Sequence, residues 1–260
     1  MKHLLFVLSI LLCSTVYGGT TDPNVPDQKY LEYGKKHECV LPLMGILDDK
    51  MNSSFRGSCV LIGRYYILTA AHIVADSLNQ YVVYDHKSYP CSIVAIPIEY
   101  NGKKMGSHDI AIARLQRPID LDFYPQLYTE KDEIDKICSI AGYGFYGTFK
   151  TGYLQSLYDN QKRAGSNIID SIEDDVLVFS VNNGPKTSLE FLICPGDSGG
   201  GLFIDQKLAG INSFIYAKDG KANADYGDSG CSTRISVYRK WIEDTKNTIE
   251  KIIKEADNER

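Results

Sequence analysis

Several features are missing from this 260-residue chain, and each absence narrows what it can be. Beyond an apolar run at Leu4–Leu12 there is no second stretch long enough to cross a bilayer, so no transmembrane helix is expected. No His-Glu-x-x-His pattern occurs, and no catalytic metal or other cofactor is inferred. There is no internal repeat of the kind that builds solenoids, and no low-complexity tract. Positive charge is in deficit, with 28 Lys and Arg against 33 Asp and Glu, a formal net charge of −5. A chain of that balance is not drawn to nucleic acid or to anionic membrane surfaces.

What is present begins with a leader. Met1-Lys-His, the Leu4–Leu12 run and Val16-Tyr-Gly18 read as a signal peptide over residues 1–18, which places the protein outside the cell, or in the periplasm of a bacterial source. Cys13 could suggest a lipid anchor, but the bulky Leu12 before it argues against one. Loss of residues 1–18 removes Lys2 and no acid, taking the charge from −5 to −6. Of the seven cysteines, six remain, an even number that suggests disulfides in a secreted chain. Asn52-Ser-Ser54 is a glycosylation sequon that a eukaryotic host would use.

Residues 19–36 are polar, carry Pro23 and Pro26, and read as an N-terminal arm. From Cys39 onward short apolar runs alternate with turn residues, as at Gly57–Ile62, Tyr65–Ala70, Gly201–Ile204 and Leu208–Phe214. Many short strands at such spacing indicate an all-β barrel or sandwich. After Tyr238, Trp241, Ile242, Thr245, Ile249 and Ile252 recur at helical spacing and predict one amphipathic C-terminal helix. Asp219–Asp228 has acidic spacing faintly like a calcium loop, but it lacks the terminal glutamate and reads as a solvated turn.

The chemistry concentrates in Cys194-Pro-Gly-Asp-Ser-Gly-Gly-Gly201. Glycines on both sides of Ser198 allow a sharply bent backbone and close approach of a substrate. A serine hydroxyl is a weak nucleophile unless a base takes its proton, so a histidine is required. His72, ending Leu68-Thr-Ala-Ala-His72, supplies that base, and Asp109 in His108-Asp-Ile-Ala-Ile-Ala-Arg-Leu115 supplies a carboxylate to orient it. His108 points to the opposite face of the strand and stays outside the set. Taken singly, His72 could be structural, Asp109 a turn cap and the glycine run a tight turn; together they form a nucleophile, a base and an orienting acid.

These three motifs, in the chain order His, Asp, Ser, resemble the chymotrypsin/trypsin family of serine endopeptidases. Ala141-Gly-Tyr-Gly144, Ser213-Phe214 and Thr233–Ile242 extend the likeness over about residues 37–250. The resemblance implies two antiparallel six-stranded barrels, residues 37–123 carrying His72 and Asp109 and residues 124–260 carrying Ser198 and the C-terminal helix. It implies acyl transfer, with an oxyanion hole of the Gly196 and Ser198 backbone N–H groups. It places Leu192 at the base of the pocket for the residue before the scissile bond. Ser213, Phe214 and Ile215 would form its wall and pair with substrate as an added strand. Leucine provides no carboxylate for Arg or Lys, so a neutral side chain is expected, unless Glu190, Asp225 or Asp228 reaches in. A polypeptide substrate, a protein inhibitor as a candidate partner, and a monomer complete that picture.

The chain also departs from the family. No Ile/Val-Val-Gly-Gly activation terminus occurs between residues 19 and 58, although Asp197, its usual partner, is present. A buried carboxylate needs a partner, so Asp197 is expected to meet another cation or amine, without a conventional activation cut. Cys194 with Cys231 resembles the bridge bracing the specificity pocket, while Cys39, Cys59, Cys91 and Cys138 leave three pairings open. The rival reading is a protease-fold binding or regulatory protein with vestigial or gated activity; an esterase would use the same machinery.

Overall fold

The computed structural model describes residues 19–46, 53–75, 77–154, 159–182 and 184–258. The expected signal peptide with Cys13, and Asn52 of the sequon, lie outside the described residues. In chain order the elements begin with β1 (Gly19–Thr21), α1 (Asp27–Lys35), β2 (Val40–Ile46), β3 (Ser53–Gly63), β4 (Tyr66–Thr69) and α2 (Ala71–Val74). Next come β5 (Asn79–Tyr84), β6 (Lys87–Ala95), β7 (Ala111–Leu115), β8 (Ile137–Gly142), β9 (Tyr146–Thr148) and β10 (Gly152–Leu154). The chain continues through β11 (Arg163–Ile168), β12 (Ser171–Glu173), β13 (Val176–Ser180), β14 (Phe191–Leu192), β15 (Gly201–Ile204), β16 (Lys207–Tyr216), β17 (Ser229–Arg234) and α3 (Ile235–Asn258).

Strands β2–β7 close into a barrel in the order β2-β3-β4-β7-β6-β5. Val60 lies opposite Leu68, and Leu68 opposite Ile112, all three fully buried; this is the apolar layer that the alternating runs demand. Register shifts at Leu43/Met44, Leu61/Gly63 and Cys91/Ile93 provide the bends that let six strands curl shut. The second half is a seven-stranded antiparallel sheet, β11-β8-β15-β16-β17-β13-β12, with a four-stranded sheet, β10-β9-β1-β14, against it. It therefore has more strands than the six expected. Phe203 and Ile211 of the second half pack in the same apolar cluster as the first barrel, so the two halves share a core at their seam. Helix α3 buries Ile235, Tyr238, Ile242 and Ile249, while Ile252 remains half exposed.

The segment read as a polar arm is built into the molecule. β1 runs parallel to β9 and antiparallel to β14, with Thr20 opposite Leu192. Helix α1 turns its Asp27, Tyr30 and Gly34 face inward. Gly34 is required there, since a Cβ would stand 2.5 Å from the Lys162 carbonyl oxygen. Arg163, 1% exposed, grips the helix through bonds of 2.9 and 3.0 Å to the two Asp27 carboxylate oxygens.

The expected Cys194–Cys231 bridge is absent, and all six cysteines among the described residues are free thiols. The pleat of β17 explains this. A side chain on Gly230 would meet Phe179 and Leu192, so Cys231, one residue on, points to the opposite face with Val176, Val178 and Phe214. Cys194 packs with the other cluster, beside Leu192 and Ile193.

Candidate active site

The loop after β14 is shaped by glycine. Asp197 N donates to the Cys194 carbonyl oxygen at 2.9 Å and Gly200 N to that of Asp197 at 2.9 Å, winding residues 194–200 into a tight coil. Gly196 and Gly199 hold φ angles of +96° and +82°. A Cβ on Gly199 would also stand 2.1 Å from the Ser58 carbonyl oxygen, so this position excludes side chains twice over. That closeness seats the loop on the first barrel, where Ser58 N donates to the Ser198 carbonyl oxygen at 2.8 Å.

His72 lies in the single turn of α2, directly after β4, and its side chain is 40% exposed. Asp109 precedes β7 and is 3% exposed. Its carboxylate accepts from His72 N at 2.9 Å, from His72 Nδ1 at 2.7 Å and from Ser213 Oγ at 2.5 Å. Burial pushes this carboxyl up, but the His72 and Ser213 bonds and the His72 charge outweigh it and hold Asp109 below the ordinary range. A carboxylate at Nδ1 fixes the proton there and leaves Nε2 as the free base. His108 faces away and bonds through Nδ1 to the Tyr238 hydroxyl at 2.9 Å, in keeping with its exclusion.

Ser198 Oγ donates to the Ser213 carbonyl oxygen at 3.2 Å and makes no hydrogen bond to His72. The Gly196 and Ser198 N–H groups donate to no acceptor among the described residues, while their neighbours Asp197, Gly199 and Gly200 all do. Two unengaged donors on a bent loop are what a developing oxyanion requires. Ser58 Oγ steadies that loop by donating to the Gly196 carbonyl oxygen at 3.0 Å while accepting from Tyr143 N. Sequence reasoning missed Ser58, since a lone serine in a strand carries no signal.

Asp197 is fully buried. Gly144 N and Cys194 N each donate to its carboxylate at 2.8 Å. Burial nevertheless raises it to about 7, against the lowering by those two bonds and the more distant Arg163 charge. Gly142 and Gly144 make room for it, since a Cβ on either would come within 3 Å of Asp197 atoms. Nearby, Gly19 N donates to the Phe145 carbonyl oxygen at 2.8 Å, and Phe145 N to that of Pro195. The first residue after the expected leader thus lies against the two segments that hold Asp197.

Of the expected substrate-binding residues, Ser213, Phe214 and Ile215 lie on β16 where only β17 is paired, leaving their other edge unpaired by strand. Leu192 is 0% exposed beneath Gly230 and offers no polar atom. The alternative acids are held in their own loops: Glu190 accepts from Lys186 N, Asp225 from Asn223 Nδ2 and Asp228 from Ala224 N.

A closed β-barrel joined to a second sheet, with a buried aspartate, a histidine and a glycine-flanked serine at the seam, defines a serine endopeptidase acting on polypeptides. The chain belongs to the trypsin family, whose model matches residues 40–242. It is 28% identical over 214 residues to kallikrein-1 of Mus musculus, covering 72% of this chain and 78% of that protein. It is 31% identical over 155 residues to kallikrein-1E2 of Equus caballus, 56% and 54% of the two chains. Among solved structures, mouse neuropsin, a serine protease, matches the fold with a TM-score of 0.64 at 22% identity, covering 82% of this chain and 96% of that one.

Proposed function

We propose that the protein is a secreted endopeptidase in which Ser198 attacks the scissile carbonyl. His72 Nε2 takes its proton and returns it to the leaving amine, while Asp109 holds the imidazole and stabilises its charged form. The Gly196 and Ser198 N–H groups receive the oxyanion; losing one such donor typically costs about 3 kcal/mol of transition-state stabilisation. The observation that carries this reading is the Asp109–His72 bond of 2.7 Å beside a serine loop whose two inner N–H groups are unengaged among the described residues. The pocket above Leu192 takes a neutral side chain, and the Ser213–Ile215 edge pairs with the substrate backbone. A fluorophosphonate probe tests the reaction: it labels the wild type and not Ser198→Ala.

The same reading covers activation. Removal of residues 1–18 leaves the Gly19 amine against the segments around Asp197, and that amine supplies the cation the buried carboxylate lacks. Secretion then replaces an activation cut. N-terminal sequencing of active protein is expected to start at Gly19; an active chain starting near Leu31, with an inactive precursor, overturns this part. The second reading, a gated or regulatory protein, is favoured by one observation: Ser198 Oγ is bonded to the Ser213 carbonyl instead of to His72. Catalytic hydrogen bonds are often loose before substrate binds. Failure of the probe to label either form favours that second reading.

A further inference from the structure

Two cavities flank Phe214. The first, about 360 Å³, opens beside His72 and Ser213 and is walled by Tyr100 and Lys103. The second, about 160 Å³, has a floor of Val176, Val178 and Cys231 and a rim that includes Glu173 and Asp174. The loop between β6 and β7 walls both. At Gly106, with φ +73°, it presses so closely that a Cβ would stand 2.3 Å from the Phe214 ring. Lys104 Nζ meets Asp174 Oδ2 at 2.6 Å, tying that loop to the turn between β12 and β13.

The charges on the two sides are unlike. In the first cavity the one carboxylate is Asp109, already engaged by His72 and Ser213. Lys103 forms no ion pair among the described residues, and its backbone is fixed by the bond from its N–H to Asn101 Oδ1 at 2.9 Å. Lys104, which lines both cavities, is taken by Asp174, while the second cavity also holds Asp175 and the exposed Glu173, neither in an ion pair among the described residues.

A peptide paired along Ser213–Tyr216 sends alternate side chains to one face, about 7 Å apart. That spacing straddles Phe214. We propose that the two cavities are paired recognition sites of opposite charge on the acyl side of the substrate. Lys103 selects an acidic side chain immediately before the residue whose carbonyl is attacked. Glu173 selects a lysine or arginine two residues further upstream, whose methylene stem covers the apolar floor while its cationic head reaches the rim. The assignment rests on the endopeptidase reading above and extends it to substrate class.

The test uses fluorogenic peptides identical except for Asp, Ala or Lys at those two positions, read as kcat/KM ratios within one enzyme. Such ratios do not depend on how much of a preparation is active. The wild type is expected to favour Asp over Lys about tenfold at the nearer position and Lys over Asp several-fold at the farther one, with both preferences shrinking at high salt. Lys103→Glu should invert the first preference and keep the second; Glu173→Lys should do the reverse. Both side chains are exposed, and fluorophosphonate labelling confirms that each variant is intact. Labelled variants whose ratios match the wild type overturn the proposal alone. Absence of both labelling and cleavage in the wild type overturns the endopeptidase reading and the proposal with it.

Discussion

Asp109 stays ionised in a buried position because three donors converge on it, and that arrangement makes its chemistry testable. Asp109→Asn keeps the shape but lets the ring carry its proton on the wrong nitrogen, and kcat is expected to fall about 10⁴-fold with the fold retained by circular dichroism. The two buried aspartates also have opposite pH signatures. Asp109 is held below its ordinary value of 3.8, so its stabilisation is present above that pH and is lost as pH falls through the folded value. Asp197 is raised to about 7, so in a chain with Gly19 blocked its contribution to stability is greatest in acid and is lost as pH rises from 3.8 towards 7. Urea unfolding across that range should show this slope in the blocked chain and lose it in Asp197→Asn. Gly144→Ala puts a methyl 2.6 Å from the Asp197 carboxyl carbon and should destabilise by about 1–3 kcal/mol in the same assay. His72, Asp109 and Ser198 stood out in the sequence as candidates because nucleophilic catalysis demands those residue types together. Ser58 did not, because its role comes only from where the fold places its hydroxyl.

Among the elements, the strands announced themselves where apolar residues dominated the run, as in β4, β15 and β16, and failed to where they did not. β1 has three residues, two of them threonine, and becomes a strand only because β9 and β14 flank it. Helix α1 hides for another reason: its buried face presents Asp27 and Gly34, residues that a periodicity search counts as polar or breaking. Tertiary partners decide both. Arg163 also lies 2.8 Å from Asp159, so one guanidinium serves two carboxylates. Arg163→Met strands Asp27 and Asp159 and is expected to cost about 3–5 kcal/mol by urea denaturation, partly recovered when Asp27→Asn is added. If α1 were a dispensable arm, neither change would shift the midpoint.

For the whole molecule, the all-β class was legible from strand spacing, while the two-part architecture was an expectation that came only with the family resemblance. The seven-strand count of the second sheet was not legible, because β11 (Arg163–Ile168) carries no apolar alternation and β12 has only three residues. The Cys194–Cys231 bridge, carried over with the family resemblance, is absent for a related reason. An even count says nothing of which face of a strand each thiol occupies, and the Gly230–Cys231 alternation sends that thiol away from Cys194. Thermal melts with and without a reductant are expected to coincide; a lower Tm under reduction would reveal bridges.

Those six reduced sulfurs give the protein an asymmetric lifetime. While folded, five of them are buried and the sixth, Cys91, is partly covered, so an oxidising medium finds little to react with. Each global opening presents them all at once to one another and to neighbouring chains. Any wrong crosslink formed before the chain recloses turns a reversible excursion into a permanent loss. The enzyme's endurance in an oxidising medium is therefore set by how rarely it unfolds, and its own sulfur chemistry acts as the clock.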